Sequence, residues 1–382
     1  MVPVTEKTVI VCTTVVRTVD AFLLPMISQL REAGVKVVVA SNLDEVAAAV
    51  SVRGEVDELV HVGLERTPLK FSYIAAIKQM RSYLVSLEPG VVECHTPIAS
   101  ALWRIAAFLT PRRVRPRVIY FAHGFHFGAS EGSDGWTRAE RALANVERIL
   151  ARVTDHIVVI NADDRRIATE VLGYSAPDIT HLPGVGISLQ DYVRPDSMTV
   201  ARKEPFHIAV VGGLLPNKRP FEALEAAQEF ATKNRVATKL TFAGDGPEMA
   251  DLQEAADSAD IEVEFLGRVD DVRPLLWRSN ALLFLSEREG LPRTVLEAVC
   301  AGLPVVAHDI RGVRDILNGQ NWWFVPTGRS ASQVAESLRR AFEHAVDEDQ
   351  MVESLQSFSS TSVNEIHTDL VLRELADRIP PA

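Results

Sequence analysis

What this 382-residue chain lacks narrows its class before any motif is read. Only three cysteines are present, Cys12, Cys94 and Cys300, each alone in apolar surroundings. No pair of them has disulfide or metal-ligand spacing, which points to a reducing cytoplasm and away from a stapled secreted domain or a zinc module. No apolar run approaches the roughly 20 residues that span a bilayer, and no basic start followed by an h-region and cleavage site opens the chain. Any membrane association is therefore expected to be peripheral. An excess of positive charge is also missing. Forty Lys and Arg against 51 Asp and Glu leave a formal charge of −11, so nucleic acid is not an expected partner. The turn Gly244-Asp245-Gly246-Pro247 lacks the third glycine of a dinucleotide fingerprint, which disfavours a nicotinamide site. No internal repeat or low-complexity tract is evident.

What is present is a succession of short apolar runs alternating with amphipathic segments, the pattern of βαβ units and parallel sheets. The length calls for two domains. The stretch 281–316 organises the second half. Residues 281–285 read as a buried strand and 286–291 as a polar turn, and Pro292 is placed to open a helix through Val295, Leu296, Val299 and Cys300. A strand at 304–307 follows Gly302. Ligand sites of such units lie at the carboxyl ends of the strands. Glu289 stands in the loop before the helix and Glu297 in its second turn, flanking a helix N-terminus whose N–H groups attract phosphate. Carboxylates do not bind phosphate, so a use for these two is to accept hydrogen bonds from hydroxyls of a sugar and a ribose on either side of a pyrophosphate. The bare spacing alone is more often that of two solvated charges, since a chain this acidic contains other such pairs by chance.

In the first half, 8–13 and 36–40 read as strands around an amphipathic segment, 21–33, and Thr14 falls at the carboxyl end of the first strand. A third strand ends at Cys94-His95, and Thr96-Pro97 opens a helix to Phe108. His95 reads equally as a cleft residue or a structural one. Arg112, Arg113, Arg115 and Arg117 follow with no acid among them. With Arg104 they form a cationic edge that anionic headgroups attract by about 1 kcal/mol per basic residue, while Trp103 and Phe108 dip into the interface. An ordinary solvated loop is the other reading.

Strand 118–122 delivers His123-Gly124-Phe125-His126-Phe127, where glycine lets the chain turn sharply and bring the His123 ring into a cleft. His126 is expected to pack. Residues 128–135 are small and polar, a mobile loop over the acceptor side. Residues 138–151 form an amphipathic helix with Ala142, Leu143, Val146, Ile149 and Leu150 on one face, and 192–205 has linker composition. The second half opens with strand 207–211 and the loop Gly212-Gly213, with Lys218-Arg219 beyond it. That glycine pair allows close approach to a phosphate whose charge Lys218 and Arg219 neutralise. Strands at 240–243 and 263–266 deliver Gly244 and Gly267-Arg268-Val269, and a last helix, 364–379, is amphipathic through Ile366, Leu370, Leu372 and Leu375.

Glu289-Gly290-Leu291-Pro292-Arg293, then Leu296-Glu297-Ala298, Ala301-Gly302-Leu303-Pro304-Val305-Val306 and Asp309-Ile310-Arg311-Gly312 closely resemble the retaining, GT-B-fold glycosyltransferases of sequence family 4. The run 123–127 resembles their bacterial capsule and exopolysaccharide, lipid-linked glycan branch. The resemblance implies an α/β chain of two doubly wound Rossmann-like domains facing a central cleft. Residues 1–192 would bind acceptor, 193–205 would link, 206–358 would bind nucleotide sugar, and 359–382 would return as a helix to the first domain. It implies that His123 and Glu289 are catalytic and lie near the donor sugar, that Glu297 holds the ribose, and that the backbone of Gly290, Leu291 and Pro292 holds the diphosphate. Gly244 would lie near the diphosphate and Arg268-Val269 near the base. Thr14, His95 and Phe125 are assigned to the acceptor side. The implied reaction is retaining transfer from a nucleotide sugar, UDP-linked by preference, to a lipid-linked saccharide, without metal or other cofactor, in the cytoplasm or at the inner membrane face. Three positions depart from the family: Gly213 stands where Arg is usual, and Val16 and Thr18 where Asp and His are usual. Those departures keep a catalytically silent binding subunit open, and a UDP-sugar epimerase on the same fold is the other alternative.

Overall fold

The computed structural model describes residues 7–65, 72–128, 136–195, 205–317, 319–324, 330–344 and 347–378. The chain divides into two compact units, Met1–Gly186 with Thr361–Ala382, and Ile187–Ser360. The first unit is built on a seven-stranded sheet of β1 (Thr8–Val15), β2 (Lys36–Asn42), β3 (Glu58–His61), β4 (Val91–His95), β5 (Arg117–Ala122), β6 (His156–Val159) and β7 (Ile179–His181), in the order β3-β2-β1-β4-β5-β6-β7. The second has β8 (Phe206–Val211), β9 (Thr238–Ala243), β10 (Glu262–Gly267), β11 (Ala281–Phe284), β12 (Val305–Ala307) and β13 (Trp323–Phe324), in the order β10-β9-β8-β11-β12-β13. All pairings in both sheets are parallel.

The apolar runs explain this arrangement. Val9, Ile10, Val11 and Cys12 of β1 are all wholly buried, as are Leu282 of β11 and Val305 of β12. Continuous burial instead of alternation is what a sheet covered by helices on both faces requires. All three cysteines are free and buried. Among the described residues no helix is long and apolar enough to cross a membrane.

Several segments differ from what the sequence pattern suggests. The amphipathic stretch 21–33 belongs to two helices, Arg17–Phe22 and Leu24–Glu32, because Pro25 has no N–H to give to the preceding turn. The helix Arg138–Ala151 is capped by a Thr137–Glu140 capping box, but it buries only Ala144 and Leu150. Leu143, Val146 and Ile149 are 46, 50 and 63% exposed. The last helix, Ser360–Arg378, leaves Ile366 exposed and buries His367, Thr368 and Glu374 beside Leu370 and Leu375. Its polar face is satisfied within the first unit, where Glu374 pairs with Arg117 at 2.6 Å and Thr368 donates to Gln29 at 2.7 Å. The chain passes between units at Gly186/Ile187, ahead of the expected linker, and the short helix Leu189–Tyr192 lies in the second unit. Residues 196–204 of that expected linker, and 129–135 of the expected mobile loop, lie outside the described residues.

Gly312 shows how closely the strand-end loops of the second unit approach each other. Its φ is +78°, and a Cβ there would overlap the Gly290 carbonyl oxygen. Gly312→Ala combines a left-handed backbone with a backbone collision, and is expected to cost about 1–3 kcal/mol. Urea unfolding of the full chain checks this, and an unchanged midpoint would contradict the close approach.

Candidate functional site

The carboxyl ends of β8 to β12 gather the second unit's loops into one edge. Gly212 donates to Ala243 O (3.0 Å), Gly244 to Gly267 O (2.8 Å), Leu214 to Asp245 O (3.0 Å) and Glu287 to Asn217 O (2.9 Å). A Cβ at Gly244 would overlap the Gly212 carbonyl, so glycine is what allows these two loops to touch. A narrow cleft at this edge is lined by Gly212, Gly213, Lys218, Leu285 and Ser286. Gly213 is different from Gly244. A Cβ there would come no nearer than 3.6 Å to any atom, so the backbone has room for a side chain.

The charged residues of this edge are paired with one another. Lys218 Nζ contacts Glu289 Oε1, which also accepts from Ser286 Oγ at 3.1 Å. Arg219, itself left-handed at φ 57°, reaches Glu222 at 2.6 Å and Glu287 at 3.2 Å. Glu289 to Pro292 lead into the helix Arg293–Cys300, with Pro292 at its cap and not inside its first turn. Glu297 is buried in that helix, and its Oε1 accepts from the Tyr192 hydroxyl and from Arg293 Nε, both at 2.9 Å. Arg268 is exposed, and Val269 packs partly buried against the core. Ser286, Glu287 and Tyr192 were not legible as site residues. Tyr192 fell in the expected linker, and the other two carry no motif of their own.

In the first unit, β4 and β5 bring histidines together. Glu93 and His95 sit two apart on β4 and therefore on one face, and both are wholly buried. His95 Nδ1 lies 3.0 Å from His123 Nε2, just beyond β5, and the two rings flank Phe121 with centroids at 5.0 and 4.5 Å. Glu93 Oε1 is 3.1 Å from His95 Nε2 and contacts Nε2 of His367 from the last helix. Burial opposes ionisation of Glu93, yet His367 and His95 hold its pKa well below the usual carboxylate range. Burial, then the same two histidines, pushes His123 down to about 3. No ligand spacing in the sequence suggested a metal cluster, but the fold brings donor atoms of Glu93, His95 and His367 within 4.8 Å of one another.

Other first-unit expectations need correction. His95 has no exposure and cannot touch an acceptor. Thr14 is buried, and its hydroxyl is taken by Thr96 at 2.7 Å. The Phe125 side chain stacks on Phe127 in the core, while its N–H is held by Asp164 at 3.3 Å. His126, expected to pack, is exposed. Of the cationic edge, Arg104 is buried beneath a bidentate pair with Glu147 at 2.8 and 3.0 Å, and Trp103 is wholly buried. Arg115 turns back onto the Phe108 and Thr110 carbonyls, and Arg117 onto Glu374. Arg112 and Arg113 remain exposed, next to exposed Phe108 and Leu109.

Histidines buried in this way link stability to pH. His123 and His156 have folded pKa values of about 3 and about 4 against an ordinary 6.5, so the unfolded chain takes up protons first as pH falls. Their contribution is complete above pH 6.5 and is lost progressively down to about pH 4 for His156 and about pH 3 for His123, and Glu93 acts in the same direction at lower pH. The thermal midpoint is expected to drop across that window. A flat or rising midpoint would contradict the burial of neutral His123 and His156.

Comparison with known proteins follows the same two-part division. Residues 18–184 match the profile "Glycosyl transferase 4-like domain" and residues 197–357 match "Glycosyl transferases group 1". The chain is 29% identical to the EpsD protein of Bacillus subtilis, named a glycosyltransferase, over 339 residues, 85% of each chain. It is 26% identical over 258 residues to the Escherichia coli UDP-Gal:α-D-GlcNAc-diphosphoundecaprenol α-1,3-galactosyltransferase, covering 63% of this chain and 64% of that one. Among solved structures, HepE of Anabaena in complex with UDP and glucose superposes with a TM-score of 0.70 at 15% identity, over 95% of this chain and 99% of that one. With two all-parallel sheets, the family's motif loops at the carboxyl ends of the second, and both domain profiles matched in order, the chain belongs to the GT-B glycosyltransferases of the group 1, family 4 type.

Proposed function

We propose that this glycosyltransferase moves a sugar from a uridine diphosphate sugar to a lipid-linked saccharide, with retention of anomeric configuration and without metal. The observation that carries the reading is the Lys218–Glu289 pair in the loops before the helix Arg293–Cys300. A diphosphate presents more charge to Lys218 than one carboxylate does, and it also draws on the backbone N–H groups of the following helix. Its arrival exchanges Glu289 off Lys218 and frees that carboxylate to accept hydrogen bonds from the donor sugar. Glu297, positioned by Tyr192 and Arg293, accepts from the ribose. The bond from anomeric carbon to diphosphate breaks as the acceptor hydroxyl attacks on the same face. The acceptor's proton passes to the leaving phosphate oxygen, whose charge Lys218, Arg219 and the amides of 290–292 stabilise. The uridine and lipid-linked assignments are supported by the E. coli relative's named substrates and by the ligands of HepE.

Glu289→Ala is expected to abolish transfer while leaving UDP affinity intact, and Glu297→Ala to weaken UDP by about tenfold, roughly 1.4 kcal/mol. Transfer of radiolabelled sugar to a lipid-linked acceptor, beside calorimetric UDP titration, reads both. Undiminished transfer in Glu289→Ala would refute the assignment. Gly213→Arg, for which the backbone has room, is expected to tighten UDP binding, and weaker binding would show that the loop is built differently.

We also propose that the exposed stripe of Leu143, Val146 and Ile149, with Arg112 and Arg113 and the apolar Phe108 and Leu109, rests on an anionic membrane surface. Arg112→Glu with Arg113→Glu, and separately Ile149→Ser, should each reduce co-sedimentation with phosphatidylglycerol vesicles. Equal sedimentation of wild type and both variants would exclude this surface.

A further inference from the structure

The last helix of the first unit brings a histidine back to the central strand of its sheet. His367 Nε2 contacts Oε1 of Glu93 on β4, and His95 Nε2, from the same strand, lies 3.1 Å from that oxygen. The three side chains are sealed from solvent: Glu93 and His95 have no exposure and His367 has 4%. Hydrogen bonding does not account for them. Among the described residues His95 Nε2 and Glu93 Oε2 have no hydrogen-bond partner, although burial makes an unpaired nitrogen or oxygen costly. Both atoms belong to one cluster, in which a donor atom from each of Glu93, His95 and His367 lies within 4.8 Å of the other two.

A metal ion satisfies such a cluster where hydrogen bonds do not. Imidazole nitrogens and carboxylate oxygens all offer it lone pairs, so no N–H has to be aimed at an oxygen. Donor atoms bound to tetrahedral zinc at about 2.0–2.1 Å stand roughly 3.3 Å apart, and the 3.1 Å between His95 Nε2 and Glu93 Oε1 is close to that spacing. Magnesium and calcium take oxygen ligands, whereas two imidazoles with one carboxylate suit zinc and its first-row neighbours. A ligating histidine gives its other ring N–H to an acceptor, and His95 Nδ1 lies 3.0 Å from His123 Nε2. Stacking on Phe121, with ring centroids 5.0 Å apart, holds the His95 ring in that orientation.

We propose that Glu93, His95 and His367 form a structural zinc site inside the first unit, which clamps the last helix to β4. Glu93 and His367 are 274 positions apart, so the ion closes a long stretch of chain and adds to the Arg117–Glu374 and Thr368–Gln29 contacts of the same helix. Its ligands are closed to solvent, so the ion holds chain segments together and meets no substrate. The site is independent of the proposed sugar transfer, which uses no metal.

The untagged full chain, stripped with dipicolinate and titrated with zinc chloride against a chromophoric chelator, tests this. One zinc per chain is expected, with an X-ray absorption spectrum showing only nitrogen and oxygen ligands at about 2.0–2.1 Å. With zinc about a hundredfold above its dissociation constant, the thermal midpoint should rise by about 4 °C or more. Loss of an outer-shell partner alone weakens a metal site by about 10–100-fold. Loss of a ligand in Glu93→Gln or His367→Gln should therefore weaken zinc by at least about a hundredfold. Cys94→Ala and Cys300→Ala should bind zinc as the wild type does. No stoichiometric zinc, a midpoint that zinc leaves unmoved, sulfur in the coordination shell, or full affinity in folded Glu93→Gln would each overturn the site. Should a ligand variant fail to fold, the wild-type stoichiometry, spectrum and midpoint still decide.

Discussion

Parallel pairing is the constraint from which the rest of both units follows. A strand that must lie parallel to its neighbour can reach it only by a crossover, so every helix of a unit lies over a face of its sheet and every strand-to-helix loop comes to the same edge. With all six strands of the second sheet parallel, Gly212, Gly244, Gly267, Glu289 and Gly312 become neighbours although they are far apart in sequence. Side chains at that edge would keep the loops apart. Glycine at positions 244 and 312 lets backbone meet backbone, and the donated N–H groups of Gly212 and Gly244 knit the edge together.

Charge is handled differently in the two units, and the difference follows burial. Lys218 and Glu289 keep 26 and 22% of their side-chain surface in solvent. A pair so placed is worth only about 0–1 kcal/mol, weak enough to exchange for a diphosphate. The Glu93 cluster is sealed. Removing one partner there would leave a buried charge uncompensated, at a cost of about 3–5 kcal/mol. The first arrangement suits a group that must change partners during a reaction, and the second suits groups that must not. Arg104 belongs to the second kind. Burial would lower its pKa, but Glu147 outweighs burial and raises it, so the pair serves to join two helices of the first unit.

Much of the fold was legible because buried parallel strands are continuous apolar runs bounded by glycine or polar turns. Residues 8–13, 118–122 and 207–211 fall wholly on observed strands, and of 281–285 all but the last residue do. The motif loop around Glu289 was legible for the same reason: its strand, turn and helix are local in sequence. What failed to show depends on contacts between distant residues. His367 lies 274 positions from Glu93, and nothing in the last helix's apolar spacing revealed that its buried face is polar. Periodicity identified Leu143, Val146 and Ile149 as one stripe, but a stripe does not say whether it faces core or solvent. Arg104, Arg115 and Arg117 read as an exposed cationic edge because a sequence shows charges and not their partners. The acids of Arg104 and Arg117, Glu147 and Glu374, arrive from helices distant in sequence, and Arg115 turns onto nearby carbonyls.

The central claim is that the strand-end edge of the second unit is a nucleotide-sugar site opened by exchange of Glu289 off Lys218. Calorimetric titration of UDP into the full chain over a salt series, repeated with Lys218→Ala and Glu289→Ala, tests it most directly. The account predicts one site per chain, binding that weakens with salt, loss of most of the affinity in Lys218→Ala, and affinity equal to or tighter than wild type in Glu289→Ala, where Lys218 has no carboxylate to give up. Binding unaffected by Lys218→Ala, or no binding of UDP by the wild-type chain, would contradict it.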